Sequence, residues 1–200
     1  MSDYLGPTVY PIGPTTAKIM LVGEFPGEQE LAKGAPFAGS QGFELGKMLM
    51  EAGIFKDSCF STMVVRNRVR ANNIDNLMAS TKSRITSEHT LFQGKYVTKQ
   101  VLDGVAALKK EIELVKPNVI VALGNLALWA LTGEWGVNKW RSSEMNSILV
   151  PGQKVIPTIH PGIINVQWKW RTLAVHDFKR VKRESEYSEI INVNYDFVID

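Results

Sequence analysis

KPNVIVALGNLALWALTG, residues 116–133, is the stretch that decides the fold class. Pro117 ends the helical pattern that precedes it. Val119 to Leu123 is then an apolar run of strand length, and Gly124 turns it directly into a second helix, Asn125 to Leu131. Upstream, Val101, Val105, Leu108, Ile112 and Val115 space out an amphipathic helix over Thr98 to Val115. Earlier still, the apolar run Ala17 to Val22 breaks at Gly23, and a glycine-punctuated loop leads to a helical pattern from about Gly42. That pattern carries Phe43, Leu45, Met48, Leu49 and Ala52 and stops at Gly53. Cys59 to Val65 reads as another buried strand, feeding the basic loop RNRVRANN. Residues 71–96, rich in Ser, Thr, Asn and basic side chains, show no sustained period and read as an irregular excursion rather than core. After a Trp-rich, basic connection come a strand at Lys154 to Thr158, a loop His160 to Gln167 and a last helix to about Arg183. Strands alternating with helices predict an α/β fold with a parallel sheet covered on both faces.

The composition is that of an ordinary globular domain. Of 200 residues, 44% are hydrophobic and 22% charged, which excludes wholesale disorder, collagen-like sequence and coiled coil. A single domain over 1–200 is expected, with its core at about 17–183; the tail 184–200 fits an added edge strand, a partner-docking arm or a disordered end. The net charge of +3 permits a nucleic-acid partner without requiring one. Cys59 is the only cysteine, so an intramolecular disulfide and a multi-cysteine metal site are excluded. The start, MSDYLGPTVYPIG, lacks secretory character, and no apolar run approaches the roughly 20 residues of a membrane span. A cytoplasmic monomer, with no membrane partner, is expected.

In an open parallel sheet a ligand sits at the carboxyl ends of the strands. Four loops there carry candidate chemistry. GEFPGEQELAKGAPFAGSQG, residues 23–42, offers Glu24, Glu28 and Glu30 as carboxylates and Phe37 as a flat apolar face. Such a carboxylate orients a water or stabilises a developing cation; solvated loop charge, or capping of backbone amides by Glu24, explains the same residues. RNRVR suits phosphates and equally suits a solvated basic surface. The Gly124–Asn125 turn exposes helix amides to an anion, or is simply a tight turn. His160 precedes a Pro-Gly turn and two isoleucines read as exposed, Ile163 and Ile164; it suits hydrogen bonding to an anionic leaving group, with apolar tips that wedge between bases. A lone histidine is more often a hydrogen-bonded structural residue, and His89 and His176 are read that way.

Taken in order, residues 23–45 (GEFPGEQELAKGAPFAGSQGFEL), STMVVRNRV (61–69), KPNVIVALGNLALWALTG, VIPTIHPGII (155–164) and VHDF (175–178) resemble the uracil-DNA glycosylase superfamily, closest to its iron-sulfur branch, family four. The resemblance spans about Lys18 to Arg183. It implies a three-layer α/β/α sandwich with a short, mostly parallel central sheet. It also implies hydrolysis of the N-glycosidic bond of a base flipped out of DNA, with no cofactor in that step. On the matching positions, Glu24 falls on the water-orienting or cation-stabilising carboxylate, with Glu30 a second acidic candidate. Phe37 falls on the aromatic that stacks on the base, and His160 on the histidine that stabilises the leaving anion. Gly124 and Asn125 match the turn that approaches the DNA backbone, and Ile163, Ile164 and Asn165 the loop that enters the helix. Arg66, Arg68 and Arg141 are expected backbone contacts.

Two departures from the family pattern stand out. The branch holds its cluster with four cysteines; here Asn67 replaces one, another falls near Gly104, and a cluster is excluded on ligand count. The asparagine that reads uracil is replaced by Met63, which lacks the paired donor and acceptor of an amide. Phe25 stands where other branches place Asp or Asn, so Phe25, Met63 and Asn67 are expected to shape a changed base pocket. Three readings follow. One is a glycosylase for a modified pyrimidine, such as a hydroxymethylated or glucosylated base of phage DNA, in antiviral defence or repair. The second is an ordinary uracil-DNA glycosylase, and the third a catalytically silent DNA-binding module. Glu24 and His160 favour an enzyme, and Met63 favours the modified base.

Overall fold

The computed structural model describes residues 6–190. Its central sheet comprises five strands in the order β2-β1-β5-β7-β6: β1 (Ile19–Gly23), β2 (Phe60–Met63), β5 (Val119–Leu123), β6 (Met145–Asn146) and β7 (Lys154–Thr158). β2, β1, β5 and β7 run parallel, and the short edge strand β6 runs antiparallel to β7. All residues of β1, β5 and β7 are buried, as a sheet covered on both faces requires. Alternate side chains serve the two faces. Met20, Val22, Ile120 and Ala122 pack with α3 (Lys99–Val115) and α4 (Asn125–Thr132). Ile19, Leu21, Val119 and Val121 pack with α2 (Ser40–Glu51) and α7 (Arg171–Glu184). The three-layer sandwich expected from the sequence is thus present.

Several elements lie where none was expected. The loop after β1 contains a short helix, α1 (Glu28–Lys33). The excursion at 71–96 is not merely irregular: it ends in a hairpin of β3 (His89–Phe92) and β4 (Lys95–Thr98), turned at Gln93 and Gly94, both at positive φ. Its strands are half-exposed and its turn lacks the usual Asn-Gly signal, so no alternation marks it. The excursion also contributes to the core through Leu77, Met78 and Val97, all buried, and Phe92 meets Trp129 edge-on at 6.1 Å. Two further single-turn helices, α5 (Val137–Trp140) and α6 (Pro161–Ile164), flank β7 in sequence.

Two polar anchors sit inside this frame. Lys154, fully buried in β7, donates to Glu184 (3.2 Å) and to the carbonyls of Tyr187 (3.0 Å) and Glu189 (3.1 Å), which docks the first part of the C-terminal tail. The remainder, 191–200, lies outside the described residues. At the other end of β7, the Thr158 hydroxyl donates to the buried Asp177 at 2.6 Å, and Arg141 grips the same carboxylate with two bonds of 3.1 and 2.7 Å. Burial pushes the Asp177 carboxyl above its ordinary range, against Thr158 and Arg141, which favour its charged form. Removing the carboxylate leaves a part-buried guanidinium without its counter-charge. Asp177→Ala should therefore lower stability by about 3 kcal/mol in urea unfolding; a loss below about 1 kcal/mol would show that this network does not secure α7 to β7.

Candidate active site

Because β2, β1, β5 and β7 are parallel, their carboxyl ends share one edge, and the loops carrying Glu24, Met63, Gly124 and His160 converge there. Gly23 pairs in register with Met63. A Cβ on Gly23 would stand 2.9 Å from Phe37 Cζ and 3.4 Å from Met63 Cγ, so the missing side chain is the space in which these two meet. Phe37 is buried and held at φ +52°, a left-handed conformation unfavourable to a bulky side chain. Its surroundings enforce it. Its carbonyl accepts from Lys56 Nζ at 2.7 Å, and Gly42 packs so closely that a Cβ there would lie 1.7 Å from that oxygen.

Glu24 reaches across to α4, where Oε1 accepts the Leu126 amide at 2.9 Å. Gly124 makes room for it: at φ +100°, any Cβ would lie 2.7 Å from the Glu24 carboxylate. The capping geometry weighed from the sequence is therefore real, and it fixes one oxygen of a carboxylate that has two. Glu30 differs. Its Oε1 accepts from Gly39 N (3.0 Å) and its Oε2 from Gly27 N (3.2 Å), which makes it a buried brace across the loop instead of the second acid expected.

His160 follows β7 and caps α6, its Nδ1 accepting the Gly162 amide at 3.1 Å. A neutral ring that accepts at Nδ1 carries its proton on Nε2. Burial pulls the imidazole below its ordinary value of 6.5, against the nearby negative charges of Glu24 and Glu30, so the neutral form prevails at pH 7. A Cβ on Gly162 would stand 3.0 Å from the Gln41 amide nitrogen, which places Gln41 of α2 beside this loop. Neither Gln41 nor Lys56 carries a sequence signal; both belong to the site only through tertiary contact.

The structure corrects several other expectations. Arg66 pairs with the buried Glu111 of α3, and Arg141 is clamped to Asp177 and the Leu173 carbonyl, so neither guanidinium is presented to phosphate. Arg68, in the same basic loop, is exposed. Asn67 donates its amide to Thr8 Oγ1 at 2.8 Å and ties down the N-terminal segment, away from a base-reading role. Phe25 packs against the core on the α3–α4 face, opposite Phe37 and Met63. Asn125 accepts the Val137 amide at 2.7 Å and so secures the loop after α4. Ile164 is fully buried, while Ile163 and Asn165 are exposed.

An iron-sulfur cluster does not fit these residues. Asn67 is engaged by Thr8, and at Gly104 a Cβ would lie 1.9 Å from the Val64 carbonyl, leaving no room for a cysteine. The one thiol, Cys59, is buried near the start of β2, and burial pushes it up to about 12. Packing from Leu77, Met78, Val97 and Val101 fills the α3 side of the β2 end.

The sequence pattern of the Uracil DNA glycosylase superfamily matches residues 10–185, which include every strand-end loop described above. The chain belongs to that superfamily. It is 30% identical over 174 residues to the type-4 uracil-DNA glycosylase of Thermotoga maritima, a match covering 85% of this chain and 79% of that protein. With the type-4 uracil-DNA glycosylase of Archaeoglobus fulgidus it shares 28% identity over 176 residues, 85% of this chain and 78% of the relative. A DNA polymerase of Bacillus phage SP01 is 27% identical over 168 residues, 84% of this chain but 16% of the polymerase. Among the described residues no helix is long and apolar enough to cross a membrane.

The depressed His160 value has a measurable consequence. Its folded-state affinity for a proton is below the unfolded value of 6.5, so the unfolded chain takes up the proton first as pH falls. The corresponding stability is present above pH 6.5 and is lost as pH drops from there toward the folded-state value. Urea unfolding between pH 7.5 and 5 should show this slope in wild type and a shallower one in His160→Gln; parallel curves would mean that His160 titrates normally in the fold.

Proposed function

We infer that this superfamily member is a DNA glycosylase that hydrolyses the N-glycosidic bond of a flipped-out pyrimidine, acting as a monomer, and that its preferred base is a modified pyrimidine rather than plain uracil. The observation that carries the catalytic reading is the pairing, on one strand-end edge, of an anchored carboxylate, Glu24, with a neutral histidine whose Nε2–H is available, His160. As the bond from C1′ to the base nitrogen breaks, its electron pair leaves with the base and the sugar acquires oxocarbenium character. His160 donates from Nε2 to a carbonyl oxygen of the departing anion. Glu24, anchored through Oε1, has a second oxygen with which to oppose the developing positive charge, to orient the water that adds to C1′ and to take the proton that water gives up, which the departed base anion recovers through solvent. Phe37, its backbone locked, supplies the face against which the base stacks.

Met63 supports the choice of base. It stands beside Gly23 and Phe37, and its thioether offers none of the paired donor and acceptor that would select the uracil edge. Its unbranched side chain can shift to admit a substituent such as a hydroxymethyl or glucosyl group. A related segment in a phage polymerase agrees with a role in phage DNA metabolism, whether in repair or in defence against a phage. The names of the type-4 relatives favour a second reading, excision of uracil itself.

Duplexes containing uracil, hydroxymethylated pyrimidines or glucosylated hydroxymethylcytosine, assayed by cleavage at the resulting abasic site, separate the two. Release of a modified pyrimidine at least about tenfold faster than uracil is expected, and Met63→Asn should raise uracil release by about tenfold or more. Efficient uracil release by the wild type would overturn the modified-base reading. On whichever base is released, Glu24→Gln and His160→Ala should each lower turnover by about a hundredfold or more with the fold intact; wild-type turnover in either variant would remove that residue from the mechanism.

A further inference from the structure

The net charge of the chain is unevenly placed. Residues 66–99 carry seven basic side chains and two acidic ones, a local charge of +5 against +3 for the whole chain, which leaves −2 for everything else. Positive charge concentrated in one segment is the electrostatic footprint of an anionic partner. The fold uses part of that charge internally. Arg66 turns to Glu111, Arg84 pairs with Asp75, Lys99 pairs with Asp103, and Lys95 lies 4.6 Å from the Trp135 ring centroid. Arg68, Arg70 and Lys82 remain. All three are exposed, and among the described residues none of their side chains has an ion-pair or hydrogen-bond partner.

The backbone that carries these three cations is nevertheless fixed. Single 3-10 turns at Arg70–Asn72, Ile74–Asn76 and Lys82–Arg84 are tied to one another. Asn76 donates its side-chain amide to the Arg70 carbonyl at 2.7 Å, Asn73 caps the middle turn by accepting the Asp75 amide at 2.9 Å, and Asp75 holds Arg84. Leu77 and Met78, next in the chain, are buried, and the Leu77 carbonyl accepts the Thr98 amide at 3.0 Å. This unit sits against the start of α3, where Gln100 donates to the Arg68 carbonyl at 3.4 Å. Gly104, a turn farther along α3, packs on the Val64 carbonyl just past the end of β2. The three cations therefore stand at the carboxyl edge of the sheet, on its β2 side, and continue the edge that carries Glu24 and His160.

We propose that Arg68, Arg70 and Lys82 form a phosphate-binding shoulder that holds the backbone of the DNA duplex flanking the nucleotide in the site. Chemistry and position both favour this partner. Unpaired cations on a fixed backbone match a regular polyanion, and the proposed reaction brings the nucleotide to this same edge. Phosphate contacts of this kind set register and orientation without reading sequence. The inference rests on the DNA glycosylase reading and assigns part of its interface to the excursion between the matched motifs.

The test uses the full-length protein and an unmodified duplex. Fluorescence anisotropy between about 50 and 200 mM salt gives the dependence of log Kd on log salt, whose slope is about 0.9 per phosphate contact. Arg70→Gln/Lys82→Gln should reduce that slope by about 1.8 and weaken binding about tenfold at the low-salt end. Arg70→Lys/Lys82→Arg preserves both charges and should keep the wild-type slope. Lys109→Gln/Lys110→Gln removes the same charge from exposed positions farther along α3 and should keep it as well, which separates a located contact from net charge. The altered side chains are all exposed, so circular dichroism should show one fold throughout. A slope within about 0.5 of wild type in Arg70→Gln/Lys82→Gln would overturn the proposal. So would an equal loss in the Lys109 and Lys110 variant, or a lost slope in the charge-preserving one. The two readings fail separately. A reduced slope in a protein that releases no base keeps this surface and removes the enzymatic reading, whereas base release with an unchanged slope removes the surface alone.

Discussion

The hydrogen bond from the Leu126 amide to Glu24 is the contact on which the arrangement of the strand-end edge depends. It joins the loop after β1 to the start of α4, two segments far apart in sequence and adjacent only because β1 and β5 pair in the sheet. Gly124 permits it, since any side chain there would occupy the carboxylate's position. A carboxylate seated at a helix start is electrostatically favoured and conformationally restricted. Both properties suit a group that must hold a water in one orientation. The same contact that stabilises the turn thus prepares the proposed chemistry, and the capping and catalytic descriptions of Glu24 are two aspects of one geometry.

The layered α/β architecture was legible because its strands are uninterrupted apolar runs closed by Gly or Pro, as at Val119–Leu123 between Pro117 and Gly124. The hairpin at 89–98 was not, because each of its strands is half-exposed and neither pattern nor turn residue distinguishes it from loop. At the candidate site the ordered motifs placed Glu24, Phe37, Met63 and His160 on strand ends and strand-end loops, and the fold brings these positions to one edge. What escaped was the engagement of side chains with one another. Nothing in RNRVR reveals that Arg66 turns inward to Glu111, and nothing in the Arg141 neighbourhood reveals Asp177. A charge count treats every arginine as available, whereas the fold turns Arg66 and Arg141 to buried carboxylates. Glu30 is the same lesson in the acid: its loop made it a second acidic candidate, and only the positions of the Gly27 and Gly39 amides show that both oxygens are engaged.

The site is also notable for how much of it is made by absent side chains. Gly23 leaves the space in which Phe37 and Met63 meet, Gly42 lets the backbone close on Phe37, and Gly124 admits Glu24. Substitution at any of the three would move a neighbour by more than the tolerance of a hydrogen bond, so the geometry of the edge is set by close backbone approach as much as by the polar groups that line it.

The region beside β2 is held by a hairpin, a handful of aliphatic side chains and the amide of Asn67. The only thiol lies buried beneath the Phe55 carbonyl with its proton firmly held. A thiol in that state is a poor nucleophile toward peroxide or disulfide. The packing that holds the end of β2 therefore does not turn on the redox state of that thiol.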